Sequence, residues 1–455
     1  MNHSPAHIAI AGAGLVGSLL AVIMARRGHR VSVFERRNDP RETGYIGGRS
    51  INLALSDRGW KALELAGIAD DVRAMAIPMY GRMMHAVDGE LTYQPYGKEG
   101  QAIYSVPRGG LNKLLIQLAD RNDNVDMHFA HAVKDIDLDT ATLHLADPTG
   151  QHLEVQADRI FGTDGAFSAV RNRMMRTDRF NYEQRFLDHG YKELSIEANP
   201  DGSHKLETNA LHIWPRGEFM LIALPNPDGS FTCTLFFPYE GKVSFNSLTT
   251  DEAVTRFMED NFADVIPLIP DYLKQWHDNP TSSLVMVTCS PWNYGDKVCL
   301  LGDASHAIVP FYGQGMNSGF EDCTVLSRIL DEVGNDWSTA LPKFARERKP
   351  QTDGILELAL RNYIEMRDKT ADPAFLLQKK IEARFSKRHP EKWIPLYSQV
   401  TFSHIPYDKA LAAGDVQDAI MKRVMNRSDI ETVWDSDEVE AAILRELEQL
   451  HAVNN

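Results

Sequence analysis

The chain has 455 residues, enough for two or three domains that each bury a hydrophobic core. Its 43% hydrophobic and 24% charged residues are typical of a soluble globular protein, and no apolar run reaches the ~20 residues of a membrane helix. The net charge of −15 argues against a nucleic-acid-binding protein, because Lys and Arg are not in excess to neutralise phosphates. A small-molecule ligand is therefore expected.

Four scattered cysteines form no Cys-x-x-Cys pair, so the sequence suggests neither a zinc site nor a redox dithiol. The chain passes within ten residues into a strand-like segment, which leaves no room for a signal peptide. We predict a cytoplasmic protein without a metal site.

The first predicted elements form a βαβ unit. An apolar run at residues 7–11 is followed by a glycine-rich turn at 12–17, a helix of small residues at 19–27 and a second strand at 30–35. This order is typical of the start of a doubly wound α/β sheet.

Glycines at this first turn predict a dinucleotide site. Gly12, Gly14 and Gly17 have the Gly-x-Gly-x-x-Gly spacing, which lets a backbone turn tightly and approach a pyrophosphate at a helix N-terminus. Glu35 follows 18 residues after Gly17, where a carboxylate can accept hydrogen bonds from a ribose diol. The motif does not separate FAD from NAD(P), and a Gly-x-Gly-x-x-Gly alone can also be a simple turn.

Later elements predict a discontinuous nucleotide domain. Strand-like residues 158–163 and 297–301 suit the same sheet, whereas residues 219–224 and 231–237 flank a turn and predict an antiparallel hairpin in a second domain. Helical periodicity dominates from residue 341 onward. The predicted boundaries are 1–80, 105–180 and 291–340 for the nucleotide domain, 81–104 and 181–290 for the substrate sheet domain, and 341–455 for a helical C-terminal region.

Two acidic turns extend the predicted site. Asp164-Gly165 and Gly302-Asp303 each follow a predicted strand, where an acid can hold ribose or ribitol hydroxyl groups. Each pair alone is a common turn dipeptide. A helix is predicted to begin near Met316, and its N-terminal amides and positive dipole suit an anion.

These motifs, in this order, resemble the single-component FAD aromatic hydroxylases, a family similar to p-hydroxybenzoate hydroxylase. Within that family the chain is most similar to the kynurenine 3-monooxygenases. The segments that carry this resemblance are residues 12–17, 48–56, 80–85, 106–113, 302–322, 362–366, 393–397 and 400–402. The first two are shared widely among flavoproteins, whereas the later ones are much more specific. The resemblance implies a Rossmann-like FAD-binding domain in the α/β class, with an antiparallel-sheet substrate domain and a helical C-terminal region.

In this family NADPH reduces FAD, the reduced flavin and O2 form a C4a-hydroperoxide, and one oxygen passes to an electron-rich ring. The resemblance implies FAD as cofactor, NADPH as co-substrate, and hydroxylation of L-kynurenine to 3-hydroxy-L-kynurenine. It assigns no catalytic side chain, since the chemistry is centred on the flavin. The implied FAD-binding residues are Gly12, Gly14, Val16, Gly17, Glu35, Arg36, Ala54, Arg108, Val133, Asp164, Asp303, Gly315, Met316 and Asn317.

The resemblance also implies the substrate residues: Arg82, Tyr96, Phe311, Tyr312, Asn362 and Tyr397. An arginine can clamp a carboxylate through two hydrogen bonds. Asn362 interrupts an apolar helical stripe formed by Ile355, Leu358, Ala359 and Met366. A buried amide needs partners, so Asn362 is expected to contact either a ligand or an internal group. Met220, Leu221 and Phe236 are expected to join Phe311 and Tyr312 in the apolar wall of the substrate chamber.

Several alternatives remain open. The substrate could be an aromatic acid such as salicylate, or the chain could be an FAD-dependent reductase, a flavin halogenase or a non-catalytic NAD(P)-binding protein. Against a halogenase, Glu391 stands where the Trp-x-Trp-x-Ile-Pro motif has its first tryptophan. Eukaryotic members of the family carry a hydrophobic C-terminal membrane segment, whereas residues 437–450 are acidic and amphipathic. We expect no membrane attachment, and a monomer or a homodimer.

Overall fold

The computed structural model of the protein describes residues 5–43, 51–368 and 372–453. Residues 48–50, which belong to one of the segments that carry the resemblance, and the side chain of Met366 lie outside the described part.

The elements alternate between strands and helices before residue 340 and are helical afterwards. The strands are β1 (His7–Ala11), β2 (Arg30–Phe34), β3 (Asn52–Leu55), β4 (Ile77–Met79), β5 (Gly81–His85), β6 (Leu91–Pro95), β7 (Ile103–Pro107), β8 (Val125–His128), β9 (Ala132–Asp137), β10 (Thr142–Ala146), β11 (His152–Gln156), β12 (Arg159–Gly162), β13 (Asn181–Ile196), β14 (Ala210–Arg216), β15 (Phe219–Pro225), β16 (Phe231–Pro238), β17 (Thr281–Ser290), β18 (Asn293–Tyr294) and β19 (Val298–Leu300). The α-helices are α1 (Leu15–Arg26), α2 (Pro40–Thr43), α3 (Asp57–Leu65), α4 (Ala69–Arg73), α5 (Arg108–Asp120), α6 (Ala169–Met174), α7 (Asp251–Phe262), α8 (Tyr272–Asp278), α9 (Gly315–Glu332), α10 (Trp337–Asp368), α11 (Pro373–Arg388), α12 (Leu396–Thr401), α13 (Tyr407–Met425), α14 (Ile430–Val433) and α15 (Asp437–Val453). Short 3-10 turns lie at Ile266–Leu268, Gly302–Ala304 and Pro310–Tyr312.

The first sheet has the strand order β18-β19-β12-β1-β2-β8. All of its neighbours are parallel except β18, which pairs antiparallel with β19. Residues 8–11 of β1 are fully buried, as expected for a parallel strand covered on both faces. Strands from distant parts of the chain build this sheet, so the predicted discontinuity and α/β class are confirmed. The exact domain boundaries stay a prediction.

The second sheet has the order β17-β13-β16-β15-β14-β5-β6 and is antiparallel except at the β14–β5 pair. The predicted hairpin is present as β15 and β16, in which Met220 pairs with Phe236 and Leu221 with Leu235. Successive side chains on a strand point to opposite faces. Leu221 and Leu235 pack with residues of α7 and α8, whereas Met220 and Phe236 pack with the 310–312 turn and α10. The face that carries Met220 and Phe236 is therefore the one that packs against the 310–312 turn and α10.

Helix α10 contacts both of the larger sheets, the first through β18 and the second through β14 and β17. Helix α10 packs against α9 and α13, and α12 packs against α13. Within the described part of the chain, no helix is both long enough and apolar enough to cross a membrane.

Candidate active site

The glycine turn between β1 and α1 has two crowded glycines and one open glycine. Gly12 has φ +102°, and a Cβ there would lie 2.8 Å from the Thr163 carbonyl oxygen. A Cβ at Gly17 would lie 2.0 Å from the carbonyl oxygen of Gly12, but a Cβ at Gly14 would meet no atom of the described residues within 4 Å. Gly12 and Gly17 thus permit close packing, while Gly14 leaves the N-terminus of α1 open to a phosphate. This cradle fits the pyrophosphate of a dinucleotide.

Val16 connects the glycine turn to the second acidic turn. A Cβ on Gly302 would lie 3.0 Å from Val16 Cγ2, and one on Gly319 would lie 2.6 Å from the same atom. The side chain of Val16 therefore sets the spacing between α1, the 302–304 turn and α9.

Glu35 lies directly after β2 and caps the glycine turn. Its Oε2 accepts a hydrogen bond from the Ala13 amide (3.0 Å) and its Oε1 accepts one from the Arg37 amide (2.9 Å). The amide of His131 donates to the Glu35 carbonyl (2.8 Å), which brings the start of β9, and with it Val133, to this end of the sheet.

A cleft opens beside Glu35. It is lined by Ala13, Gly14, Leu15, Glu35, Arg37, Asn38, Pro40, Thr43, Arg108, Asn112 and Ile116. The structure thus brings Gly14, Glu35 and Arg108 together, as expected for one ligand. Arg37 lines the cleft, whereas Arg36 is exposed and outside this lining.

The two acidic turns differ in environment. Oδ2 of Asp164 accepts a hydrogen bond from the Ala169 amide (2.7 Å), while its Oδ1 is buried and has no partner among the described residues. Burial raises the pKa of the Asp164 carboxyl group. Asp303 is exposed to solvent, but partial desolvation by the neighbouring protein raises the pKa of its carboxyl group, and the nearby Arg108 opposes this rise. Both carboxyl groups retain capacity to bond ligand hydroxyl groups.

Helix α9 begins at Gly315, one residue before the predicted start. The side chain of Asn317 is engaged within the protein: its Oδ1 accepts from the Ser56 amide (2.9 Å), and its Nδ2 donates to the carbonyl oxygens of Ala54 and Gly313 (both 2.8 Å). Asn317 therefore joins β3 to α9. The first backbone amides of the helix, including those of Gly315 and Met316, lack intrahelical acceptors and suit an anionic ligand edge.

Four of the predicted substrate residues form one cluster. The Arg82 guanidinium carbon lies 4.7 Å from the ring centroid of Tyr397 and 5.3 Å from that of Tyr96. Tyr397 stacks on Tyr96 (5.3 Å between centroids) and on Tyr312 (5.7 Å). Strand β5, the residue after β6, the 310–312 turn and α12 each contribute one member.

Two buried polar atoms in this cluster, Arg82 Nε and the Tyr96 hydroxyl oxygen, form no hydrogen bond of ordinary geometry to any described residue. Burial lowers the pKa of Arg82, but the neighbouring Tyr397 and Tyr96 side chains outweigh this effect and raise the pKa above its ordinary value. Burial raises the pKa of Tyr96 well above its usual value, so the phenol stays protonated and can donate. A buried cation beside a phenol donor forms a site for an anion such as a carboxylate.

The Asn362 side chain forms the internal hydrogen bond that was one of its two expected roles. Its Nδ2 donates to the Phe311 carbonyl oxygen (2.6 Å). The Phe311 ring lies 5.0 Å from Phe236 and 4.6 Å from Tyr363. Asn362 therefore ties α10 to the turn that carries Phe311 and Tyr312.

The prediction of which residues form the apolar wall is partly wrong. Met220, Phe236, Phe311 and Tyr312 pack in one cluster, but Leu221 lies on the opposite face of the sheet, against α7. Adjacent residues on a strand cannot share a face, and this alternation explains the error.

Sequence reasoning missed a buried ionic network behind the cofactor elements. Asp322 accepts hydrogen bonds from the Gly302 amide (2.9 Å) and from Arg348 Nε (2.9 Å), and its Oδ2 lies 2.6 Å from His306 Nε2. Arg348 also pairs with Glu321 (2.8 Å). Asp322 ends the 302–322 segment, so its position in that motif was the available signal.

The sequence motifs also assign no role to Glu365. It lies near enough to Tyr312 to help raise the pKa of that phenol, whose main cause is burial. Glu365 stands three positions after Asn362 on α10, the spacing that places two side chains on one helical face. A carboxylate at this place can attract the ammonium group of an amino-acid ligand.

No group of three His, Cys, Asp or Glu side chains in the described ranges is arranged to hold a metal ion. The four cysteines are buried and unpaired, and burial raises the pKa of Cys233 to about 12.

Comparisons with known proteins agree with this arrangement. The sequence model of a family described as FAD binding domain matches residues 6–359. A kynurenine 3-monooxygenase of Flavobacterium johnsoniae is 54% identical over 443 residues, which are 97% of this chain and 99% of that protein. Another, of Flavobacterium psychrophilum, is 52% identical over 439 residues, 96% of this chain and 98% of that protein.

Solved structures show the same fold at low sequence identity. The tetrameric form of 2-methyl-3-hydroxypyridine-5-carboxylic acid oxygenase has a TM-score of 0.67 and 21% identity, covering 82% of this chain and 96% of that chain. The cofactor is FAD, and the protein is an FAD-dependent hydroxylase. The chain belongs to the kynurenine 3-monooxygenase family.

Proposed function

We propose that this protein uses NADPH and O2 to hydroxylate L-kynurenine to 3-hydroxy-L-kynurenine. The observation that carries the substrate assignment is a buried pair of polar atoms, Arg82 Nε and the Tyr96 hydroxyl oxygen, which form no hydrogen bond of ordinary geometry to any described residue and lie beside buried clusters of apolar and aromatic side chains. A ligand with a carboxylate at one end and an aromatic ring at the other would match this pair and these clusters. The relatives named above carry the same activity in their names.

In this proposal Arg82 and Tyr96 bind the substrate carboxylate, with Tyr397 stacked beside them. The chamber wall of Met220, Phe236 and Phe311 holds the aniline ring and excludes water. Asn362 acts through its hydrogen bond to Phe311, which fixes one wall of the chamber.

The proposed FAD site consists of the cradle at Gly12, Gly14 and Gly17, with Glu35 and Arg108 at the cleft and Asp164 and Asp303 at the acidic turns. When bound, FAD supplies the redox chemistry and the activation of O2. The N-terminus of α9 would stabilise negative charge on the bound flavin by about 0.3–1 kcal/mol, and by more in a buried position. The cytoplasmic location and the monomeric or homodimeric state stay predictions from the sequence.

The test is NADPH oxidation by the purified yellow protein, with and without L-kynurenine, followed by identification of the product. We expect L-kynurenine to stimulate NADPH oxidation and to yield 3-hydroxy-L-kynurenine. Salicylate serves as the matched aromatic acid. Stimulation and hydroxylation with salicylate, without binding of L-kynurenine, would refute the proposal and favour the aromatic-acid alternative.

A further inference from the structure

Arg58 lies in the first turn of α3, and its side chain is wholly buried. Its Nη1 pairs with Glu321 Oε1 (2.5 Å), its Nε donates to the Val400 carbonyl oxygen (3.1 Å), and its Nη2 donates to the Ile405 carbonyl oxygen. One planar guanidinium thus contacts α9, the end of α12 and the loop before α13.

On one side, Arg58 contacts α9, a helix of the proposed cofactor site. Glu321 lies on α9, whose N-terminus faces the flavin edge in the proposed site, and the neighbouring Asp322 holds the amide of Gly302 (2.9 Å). Arg348 binds both carboxylates, so its single positive charge is shared between Glu321 and Asp322, and Arg58 supplies the second positive charge. Charge neutralisation alone does not require the two further hydrogen bonds that Arg58 donates to backbone carbonyl groups.

On the other side, Arg58 contacts α12, which carries one member of the substrate cluster. Val400 lies in α12, the six-residue helix that also carries Tyr397. A helix this short is not stable by itself, and its last carbonyl groups have no intrahelical donors. Arg58 supplies donors to Val400 and Ile405.

Tyr407 makes a second connection between the same elements. The Arg58 guanidinium carbon lies 3.9 Å from the ring centroid of Tyr407, and the Tyr407 hydroxyl donates to Gln314 Oε1 (3.0 Å). Gln314 is the N-cap residue of α9. The start of α13 is therefore fixed to the start of α9 through the arginine and the tyrosine.

We propose that Arg58 is a positioning residue that holds α12, and with it Tyr397, in place against the cofactor-binding helix α9. The inference rests on the proposed function for the role of Tyr397. Lysine cannot replace arginine here, because an ammonium group lacks the planar fork that reaches one carboxylate and two carbonyl groups at once.

A double-mutant cycle tests the inference in the FAD-loaded protein. Arg58→Lys is expected to retain FAD and to weaken L-kynurenine binding, measured by the change in flavin absorbance, by about tenfold. If Arg58 acts through Tyr397, the double variant Arg58→Lys with Tyr397→Ala binds L-kynurenine no more than about twofold more weakly than Tyr397→Ala alone. Weakening equal to the product of the two single effects overturns the inference.

Arg171 provides the matched control. It is also wholly buried, and it donates to the Ala166 and Ala304 carbonyl oxygens (2.6 and 2.9 Å) in the two cofactor turns. Arg171→Lys is expected to act on FAD retention, and any effect on L-kynurenine binding should combine independently with that of Tyr397→Ala. Should Arg58→Lys fail to retain FAD, Glu321→Gln, which weakens the same contact, enters the cycle in its place.

Amide hydrogen exchange gives a readout that needs no substrate. Arg58→Lys is expected to increase exchange at residues 396–407 and to leave the middle of α9 unchanged. Unchanged exchange at residues 396–407 overturns the inference even if the wild-type protein proves not to bind L-kynurenine. Conversely, wild-type binding with an additive cycle refutes the role of Arg58 and leaves the proposed function intact.

Discussion

The guanidinium carbon of Arg82 lies 4.7 Å from the ring centroid of Tyr397, although the two residues come from the second sheet and from the helical C-terminal region. The contact closes the substrate cluster from both sides, since Tyr397 also stacks on Tyr96 and on Tyr312. The cluster therefore forms only when the second sheet and α12 pack against each other.

Removing the charge of Arg82 should weaken substrate binding without loss of FAD. Arg82→Met is expected to weaken L-kynurenine binding by at least about 30-fold, because an unpartnered buried carboxylate costs about 2–5 kcal/mol. Binding is measured from the flavin absorbance change, and FAD content from the absorbance of the purified protein. Arg82→Lys, which keeps the charge but loses the fork, should lie between Arg82→Met and wild type. Unchanged affinity in Arg82→Met would contradict the carboxylate assignment.

The glycine turn predicts opposite outcomes for two similar substitutions. Gly14→Ala should fold normally, since its Cβ meets no atom of the described residues within 4 Å, but the methyl group should weaken FAD binding by about tenfold, or ~1.4 kcal/mol. Gly17→Ala should lower the free energy of unfolding by at least about 3 kcal/mol, because its Cβ would lie 2.0 Å from the Gly12 carbonyl oxygen. Thermal unfolding and FAD titration separate the two effects. Full FAD affinity in Gly14→Ala would argue against pyrophosphate contact there.

Substitutions at two adjacent residues of β15 should have different effects, one on the free energy of unfolding and the other on substrate binding. Leu221→Ala should cost about 2–5 kcal/mol of unfolding free energy and leave the KM for L-kynurenine near the wild-type value, because Leu221 packs against α7. Met220→Ala should raise the KM and increase NADPH oxidation that yields no hydroxylated product, since Met220 packs with Phe236 and Phe311. Chemical unfolding and product quantification test the pair. Equal effects of both substitutions on KM would mean that the two faces are not functionally distinct.

His212 should make the protein sensitive to acid. The residue is buried, and this burial lowers the pKa of its imidazole to about 4. Its Nδ1 lies 2.9 Å from His85 Nε2, and its Nε2 lies 2.8 Å from the Glu207 carbonyl oxygen. Between its unfolded pKa of about 6.5 and the folded value, the unfolded chain binds more protons, so the free energy of unfolding falls as the pH falls.

The loss attributable to His212 is on the order of 3 kcal/mol between pH 7 and pH 4. His212→Gln, which does not titrate, should show a shallower decline of the unfolding midpoint across this range. Unfolding of both proteins at several pH values checks the expectation, and parallel declines would assign the acid sensitivity to other groups.

Features that depend only on neighbouring residues could be predicted from the amino-acid sequence. The glycine turn, the strand before it, the helix after it and Glu35 form one continuous segment, so spacing alone predicted the dinucleotide cradle. The hairpin of β15 and β16 and the start of α9 were predicted within one or two residues for the same reason. Resemblance to the family supplied the separate anchors of the substrate cluster.

Which distant side chains meet, and which face each one occupies, depends on the packing of whole elements. The packing of helices against the second sheet placed Arg82 beside Tyr397 and bound Asn362 to the Phe311 carbonyl oxygen, and the strand alternation of β15 turned Leu221 to the opposite face. The buried contact of Arg58 with Glu321 joins α3 to α9, two helices that are far apart in the chain. Periodicity along a chain specifies local conformation, whereas such contacts depend on how whole elements pack, and no short segment encodes that packing.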